Sequence, residues 1–140
     1  MRFAVLSVLA VGSVAAAPVP KDFKKPNDKS RLVGTWVGTA PDQVRFQFAA
    51  DGTLHTWHGA DPQAGRMGWT WTVTDPTATP KRARINRAEN PSAGYDCVYE
   101  WSGDTLKFAL IIDTKQATPA KVEKGSGLEY HQMTRESSGK

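Results

Sequence analysis

From residue 32 onward the apolar side chains fall on alternate positions, and the alternation breaks about every eight to fifteen residues at Gly, Pro, Asp or Asn. A period of two sends successive side chains to opposite faces, so it fits a half-buried strand and not a helix. No stretch carries a helical apolar stripe, and the pattern predicts strands at 32–39, 44–49, 53–58, 68–74, 81–86, 95–102, 105–112 and 128–134. About eight short strands joined mostly as neighbours suit a small up-and-down antiparallel β-barrel, which leaves no open edge. A two-sheet β-sandwich is the alternative. A short helical turn is allowed near residue 40 or in the connection 113–127.

One hairpin can be registered without coordinates. With Gly103-Asp104 as a two-residue turn, Ser102 faces Thr105, Trp101 faces Leu106, Tyr99 faces Phe108, Cys97 faces Leu110 and Tyr95 faces Ile112. All the large residues then share one side. A slip of one residue would set them against Asp96, Glu100 and Lys107, so this side is placed inward. The outer side keeps Val98, Ala109 and Ile111 as apolar exceptions. At Asp51-Gly52, a type I turn with Gly52 in the left-handed bulge position pairs Phe48 with Leu54 and Phe46 with Thr56, leaving His55 and Trp57 outside. Trp69, Trp71 and Val73 share a face, and Ala83 and Ile85 supply a thinner inner face between Arg82, Arg84 and Asn86.

Gly34-Thr35-Trp36 opens the first strand and Arg135 closes the last. A glycine two places before a tryptophan lets the indole lie across the closed end of a barrel, where a late cation can stack on it. Together with Asp75-Pro76-Thr77, Thr79-Pro80-Lys81, the run Tyr99 to Leu106 (Tyr-Glu-Trp-Ser-Gly-Asp-Thr-Leu), Gly125-Ser126-Gly127-Leu128 and Arg135, this element resembles the small lipocalin-like domain common in exported planctomycete proteins. The likeness covers most of residues 31 to 136. It implies a calycin-type barrel, export, and Gly34, Trp36 and Arg135 as the structural closure, but that family has no established activity to carry over. Where that domain often has Arg-Pro-Thr-Glu-Phe before its last strand, this chain has Thr118-Pro119-Ala120-Lys121-Val122, so any role of that arginine and phenylalanine is not transferred.

The chain before the barrel reads differently. Met1-Arg2, the apolar run Phe3 to Val14 and the small residues Ala15 to Ala17 predict a secretory signal peptide over 1–16. The apolar run is shorter than the roughly 20 residues a membrane span needs, so no membrane insertion is expected. Residues 17–31, with Lys21, Lys24, Lys25 and Lys29 and few apolar groups, predict a flexible basic tail ahead of a barrel domain at 32–136 and a disordered terminus at 137–140. The formal net charge of +4 is spread rather than clustered, which argues against nucleic acid as a partner. Cys97 is the only cysteine, so an exported monomer stands on its core without an internal disulfide.

Catalytic signals are thin. His55 and His58 are three apart on a strand and point to opposite faces, poor geometry for a shared metal. Surface positions are expected for His55, His58 and His131, and a site of His55, His131 and a carboxylate would need assembly across strands. Cys97, between Tyr95 and Tyr99, reads as a buried inert thiol. Gly125-Ser126-Gly127 precedes a strand and reads as a turn, not a phosphate loop. No cofactor, metal or enzymatic activity is expected. The inward rings Phe46, Phe48, Trp69, Trp71, Tyr99, Trp101 and Phe108 are the candidate ligand-binding residues. They predict an exported binding protein that takes a small apolar or aromatic ligand at the open end. The alternative is a cell-envelope protein–protein interaction or inhibitor-like module, acting through its outer face, its open-end loops or its basic tail.

Overall fold

The computed structural model describes residues 27–39 and 43–137; the expected signal peptide, most of the basic tail and residues 138–140 lie outside them. A short helix, α1 (Asp28–Leu32), precedes eight strands: β1 (Gly34–Gly38), β2 (Val44–Phe48), β3 (Thr53–His58), β4 (Met67–Asp75), β5 (Lys81–Arg87), β6 (Gly94–Ser102), β7 (Thr105–Ile111) and β8 (Leu128–Arg135). Each strand pairs antiparallel with the next, and β8 returns to β1, closing an up-and-down barrel. The β-sandwich alternative is thereby set aside. Closure satisfies the backbone groups of both terminal strands, which an open sheet would leave as a sticky edge.

The Gly103-Asp104 register holds along the ladder from Ser102↔Thr105 to Cys97↔Leu110. Gly103 takes φ +60 at the turn, a conformation glycine adopts at no steric cost. Inward Tyr99, Leu106 and Phe108 are fully buried. One pairing does not form: β7 ends at Ile111, and Ile112 beyond it is 50% exposed instead of facing Tyr95. At the β2–β3 hairpin Phe48 pairs with Leu54 and Phe46 with Thr56, with Gly52 at φ +92 and the Asp51 carboxylate accepting from the Thr53 amide at 2.9 Å. Trp57, expected outside, follows the outward parity of β3 and yet is only 5% exposed. It pairs with Arg45, whose guanidinium is held by Glu136 at 3.3 Å and by the Gly59 carbonyl.

The helix among the described residues lies outside the connection 113–127, and residues 40–42, the other expected place, are outside the described residues. That helix occupies Asp28–Leu32, where the sequence reads as the end of a mobile tail and the start of β1. Asn27 caps it by accepting from the Ser30 amide at 2.8 Å, the usual way an orphaned helix donor is satisfied. Five residues show no periodicity, so the helix is set by what it packs on: Leu32 is fully buried in the barrel core. The connection 113–127 has no helix. It lays Val122, 2% exposed, over Val98 and Ala109 on the barrel's outer side, with Tyr130 packed against them. This satellite cluster explains two of the apolar exceptions on the outer face of the β6–β7 hairpin.

Candidate functional site

Antiparallel order divides the residues between two ends. At the end where β1 begins, the Trp36 indole donates to the Leu32 carbonyl at 2.8 Å, and the Arg135 guanidinium lies 4.7 Å from its ring. Arg135 also donates to the carbonyls of Val33 at 2.8 Å and Arg31 at 2.6 Å. Gly34 makes room for it: a Cβ there would meet Arg135 Nη1 at 2.7 Å. Arg31 lies 4.0 Å over the Trp101 ring and donates to the Gly103 carbonyl at 2.9 Å. Asp28 accepts from Lys81 at 2.8 Å and from the Trp101 indole at 3.3 Å. The helix, two tryptophans and this set of charges seal that end.

At the other end the barrel is open. A cavity of about 250 Å³ enters there, its apolar wall made by Val44, Phe46, Ile85, Leu110 and the partly buried rings of Trp69 and Tyr95. Thr56, His58, Arg87 and Glu129 supply the polar part, and Met67 stands on the rim. Trp69 and Tyr95 rings lie 6.2 Å apart, tilted by 56°, and the Trp69 indole donates to the Thr56 hydroxyl at 3.1 Å. Beneath the mouth, Phe46 packs against Phe48 and Phe108, which form the floor.

The carboxylate of Glu129 meets His131 Nε2 at 3.0 Å. That hydrogen bond, outweighing the opposing effect of partial burial, holds the Glu129 carboxyl below its ordinary range. His131 is a correction to the sequence reading. Pairing opposite Phe108 places it on the inner face, with its ring 5.1 Å from Phe46. His55 follows the outer face, so His55 and His131 stand on opposite sides of the sheet and cannot share a site. Burial and the nearby Arg66 push the His55 pKa down. Among the described residues no three His, Cys, Asp or Glu are grouped to hold a metal ion. Cys97 is 1% exposed, and burial raises its thiol pKa far above the ordinary value, so it stays protonated.

The seven rings singled out from the sequence are not brought to one place. Phe46 and Trp69 line the mouth. Phe48, Tyr99 and Phe108 are packed in the core. Trp101 belongs to the closed end, 5.4 Å from Trp36. Trp71, 3% exposed, packs edge-on against Phe48 in the core and also walls a groove of about 500 Å³ beside α1, shared with Asp28, Lys29, Val73 and Pro76. That groove is larger than the mouth, but it lies at the sealed end, is the more open of the two to solvent, and takes its lining from the start of α1, from β4 and from the turn after it. The mouth is enclosed by strands on all sides and carries convergent polar groups, the usual form of a small-molecule site. Choosing by ring type missed Tyr95, His58, Arg87 and Glu129. Strand polarity could have found them: once Gly34 marks the closed end, the last residues of odd strands and the first of even strands must share the opposite end.

No family model, curated protein or solved structure matches this chain.

Proposed function

We propose that this chain is an exported, lipocalin-like, non-catalytic binding protein that takes a small aromatic ligand into the open mouth of its barrel. One observation carries the reading: a cavity of about 250 Å³ at the open end, walled by Phe46, Trp69, Ile85, Tyr95 and Leu110, above a closed and packed opposite end. A dry cavity of roughly 150 Å³ accommodates benzene, so this one suits one or two fused rings rather than a fatty acyl chain. Trp69 and Tyr95 present flat faces with polar handles, which favours an aromatic guest.

The test uses the five tryptophan indole N–H signals as position markers. Titrating the two-ring probes 2-naphthol and 2-naphthoate into the labelled protein should shift the Trp69 indole resonance and leave those of Trp36 and Trp101 in place. Shifts confined to Trp71 would move the site to the groove beside α1 and overturn the reading.

A protein partner is the second reading, favoured by one feature. The large hydrophobics exposed among the described residues, Met67 at 52% and Ile112 at 50%, both stand at the open end. An envelope protein would therefore seat on the mouth rather than on the outer wall.

A further inference from the structure

The mouth contains one charge without an answer. Arg87 pairs with Trp69 on the inward row, one step beyond Ile85, where a small barrel ordinarily places an apolar residue. Its guanidinium lies 5.8 Å from the Trp69 ring, and among the described residues it has no carboxylate or hydrogen-bond acceptor. The other inner-facing charges are engaged: Glu129 across the mouth is held by His131, and Arg135 at the far end by two carbonyls. On the outer wall Arg45 is paired with Glu136, and Arg84 with Asp96. Arg82, also without such an acceptor, is exposed on the outer face and faces solvent.

Resting on the reading of the mouth as a ligand site, we propose that its ligand is an aromatic carboxylate and that Arg87 recognises the carboxylate. The ring would lie against Trp69 and Tyr95, and the anionic group would reach the rim. A second cleft, of about 290 Å³, joins the mouth there through Met67, Trp69 and Arg87 and brings in Arg66, which donates to Gln47, and Glu89, so two guanidinium groups stand against one carboxylate on the side where the charge would sit. A guanidinium offers parallel N–H donors that match a planar carboxylate in a bidentate pair. Stacking on Trp69 holds the fork in place without using those donors.

The experiment compares 2-naphthoate with 2-naphthol, the same rings with and without the charge at neutral pH, and with naphthalene-2-sulfonate, by calorimetric titration of the whole protein. Arg87 is exposed, so its charge-assisted hydrogen bonds act at the weak end of their range, and 2-naphthoate should bind about tenfold more tightly than 2-naphthol. Arg87→Gln should remove that preference and leave 2-naphthol within about twofold of its original affinity, while Arg87→Lys, which keeps charge but loses the fork, should restore only part of it. The sulfonate should bind less tightly than the carboxylate.

Equal binding of naphthoate and naphthol, or a preference that survives Arg87→Gln, would overturn the proposal while leaving the mouth as a site for neutral rings. Sulfonate binding as tight as carboxylate would also overturn it, reducing Arg87 to a general anion contact. Binding of neither ring at the mouth would remove the underlying reading, and the proposal with it.

Discussion

Gly34→Ala perturbs the closed end through two separable effects. Gly34 has φ +134, a region that L side chains adopt only under strain, at a cost of about 1–3 kcal/mol. The new Cβ would also sit 2.7 Å from Arg135 Nη1, so the guanidinium must shift from its place against the carbonyls of Val33 and Arg31 and the face of Trp36. Each hydrogen bond from a charged donor contributes about 1.5 kcal/mol at the low end, the appropriate end because Arg135 is solvent-exposed. The stacked cation adds about 0.5–1 kcal/mol. Displacing Arg135 only partly, since its side chain can bend, loses about 1–2 kcal/mol of this. The total for Gly34→Ala is then about 2–5 kcal/mol, a large share of the roughly 5–15 kcal/mol that holds a domain folded.

The assay is urea unfolding followed by tryptophan fluorescence on the two single variants and the double variant Gly34→Ala/Arg135→Ala. With Arg135 already truncated, Gly34→Ala retains only the backbone cost, so the double variant should be more stable than the sum of the singles by about 1–2 kcal/mol. Contacting residues couple in this way, whereas independent sites add within about 0.5 kcal/mol. Additivity within that margin would show that Gly34 does not act by making room for Arg135.

Two further outcomes follow from polar groups of the inner face, one buried and one at the mouth. The Tyr99 hydroxyl is buried with no hydrogen-bond partner among the described residues, and an unpaired buried hydroxyl costs about 1–3 kcal/mol; Tyr99→Phe should therefore leave the melting temperature unchanged or raise it, and a fall of more than a few degrees would reveal a bond to that oxygen. Glu129 has its carboxyl pKa lowered from about 4.5 by the His131 hydrogen bond, so its contribution is fully present above about pH 4.5 and is lost as pH falls below that value through the folded pKa. Glu129→Gln should flatten the acid limb of the stability curve in that window and leave the curve's shape near neutrality unaltered; an unchanged acid limb would show that the pair contributes nothing.

The legibility of this molecule varies with the range of the interaction. Alternation and turn chemistry are local, and the registers at Gly103-Asp104 and Asp51-Gly52 could be written down from residues a few places apart because a slip by one would invert every side chain. The β-barrel class followed from counting such strands. Helix α1 was invisible: five residues at the end of a lysine-rich stretch hold no pattern, and only the burial of Leu32 beneath the barrel orders them. Val122 was equally silent, a single valine in an irregular connection that gains meaning by covering Val98 and Ala109.

The site divides the same way. Parity along each strand determined that Phe46, Trp69 and Tyr95 face inward, whereas the end that closes is decided by α1 packing against Trp36 and Arg135 in the folded chain. What the sequence alone could not decide was height within the barrel and the pairing of charges. Seven inward rings look alike in one dimension, and closure of β8 onto β1 sorts them into floor, sealed end and mouth. That same closure brings Glu129 of β8 to one mouth with His58 of β3 and Arg87 of β5, because those strands lie far apart in the chain and share a cavity only when the sheet curls shut.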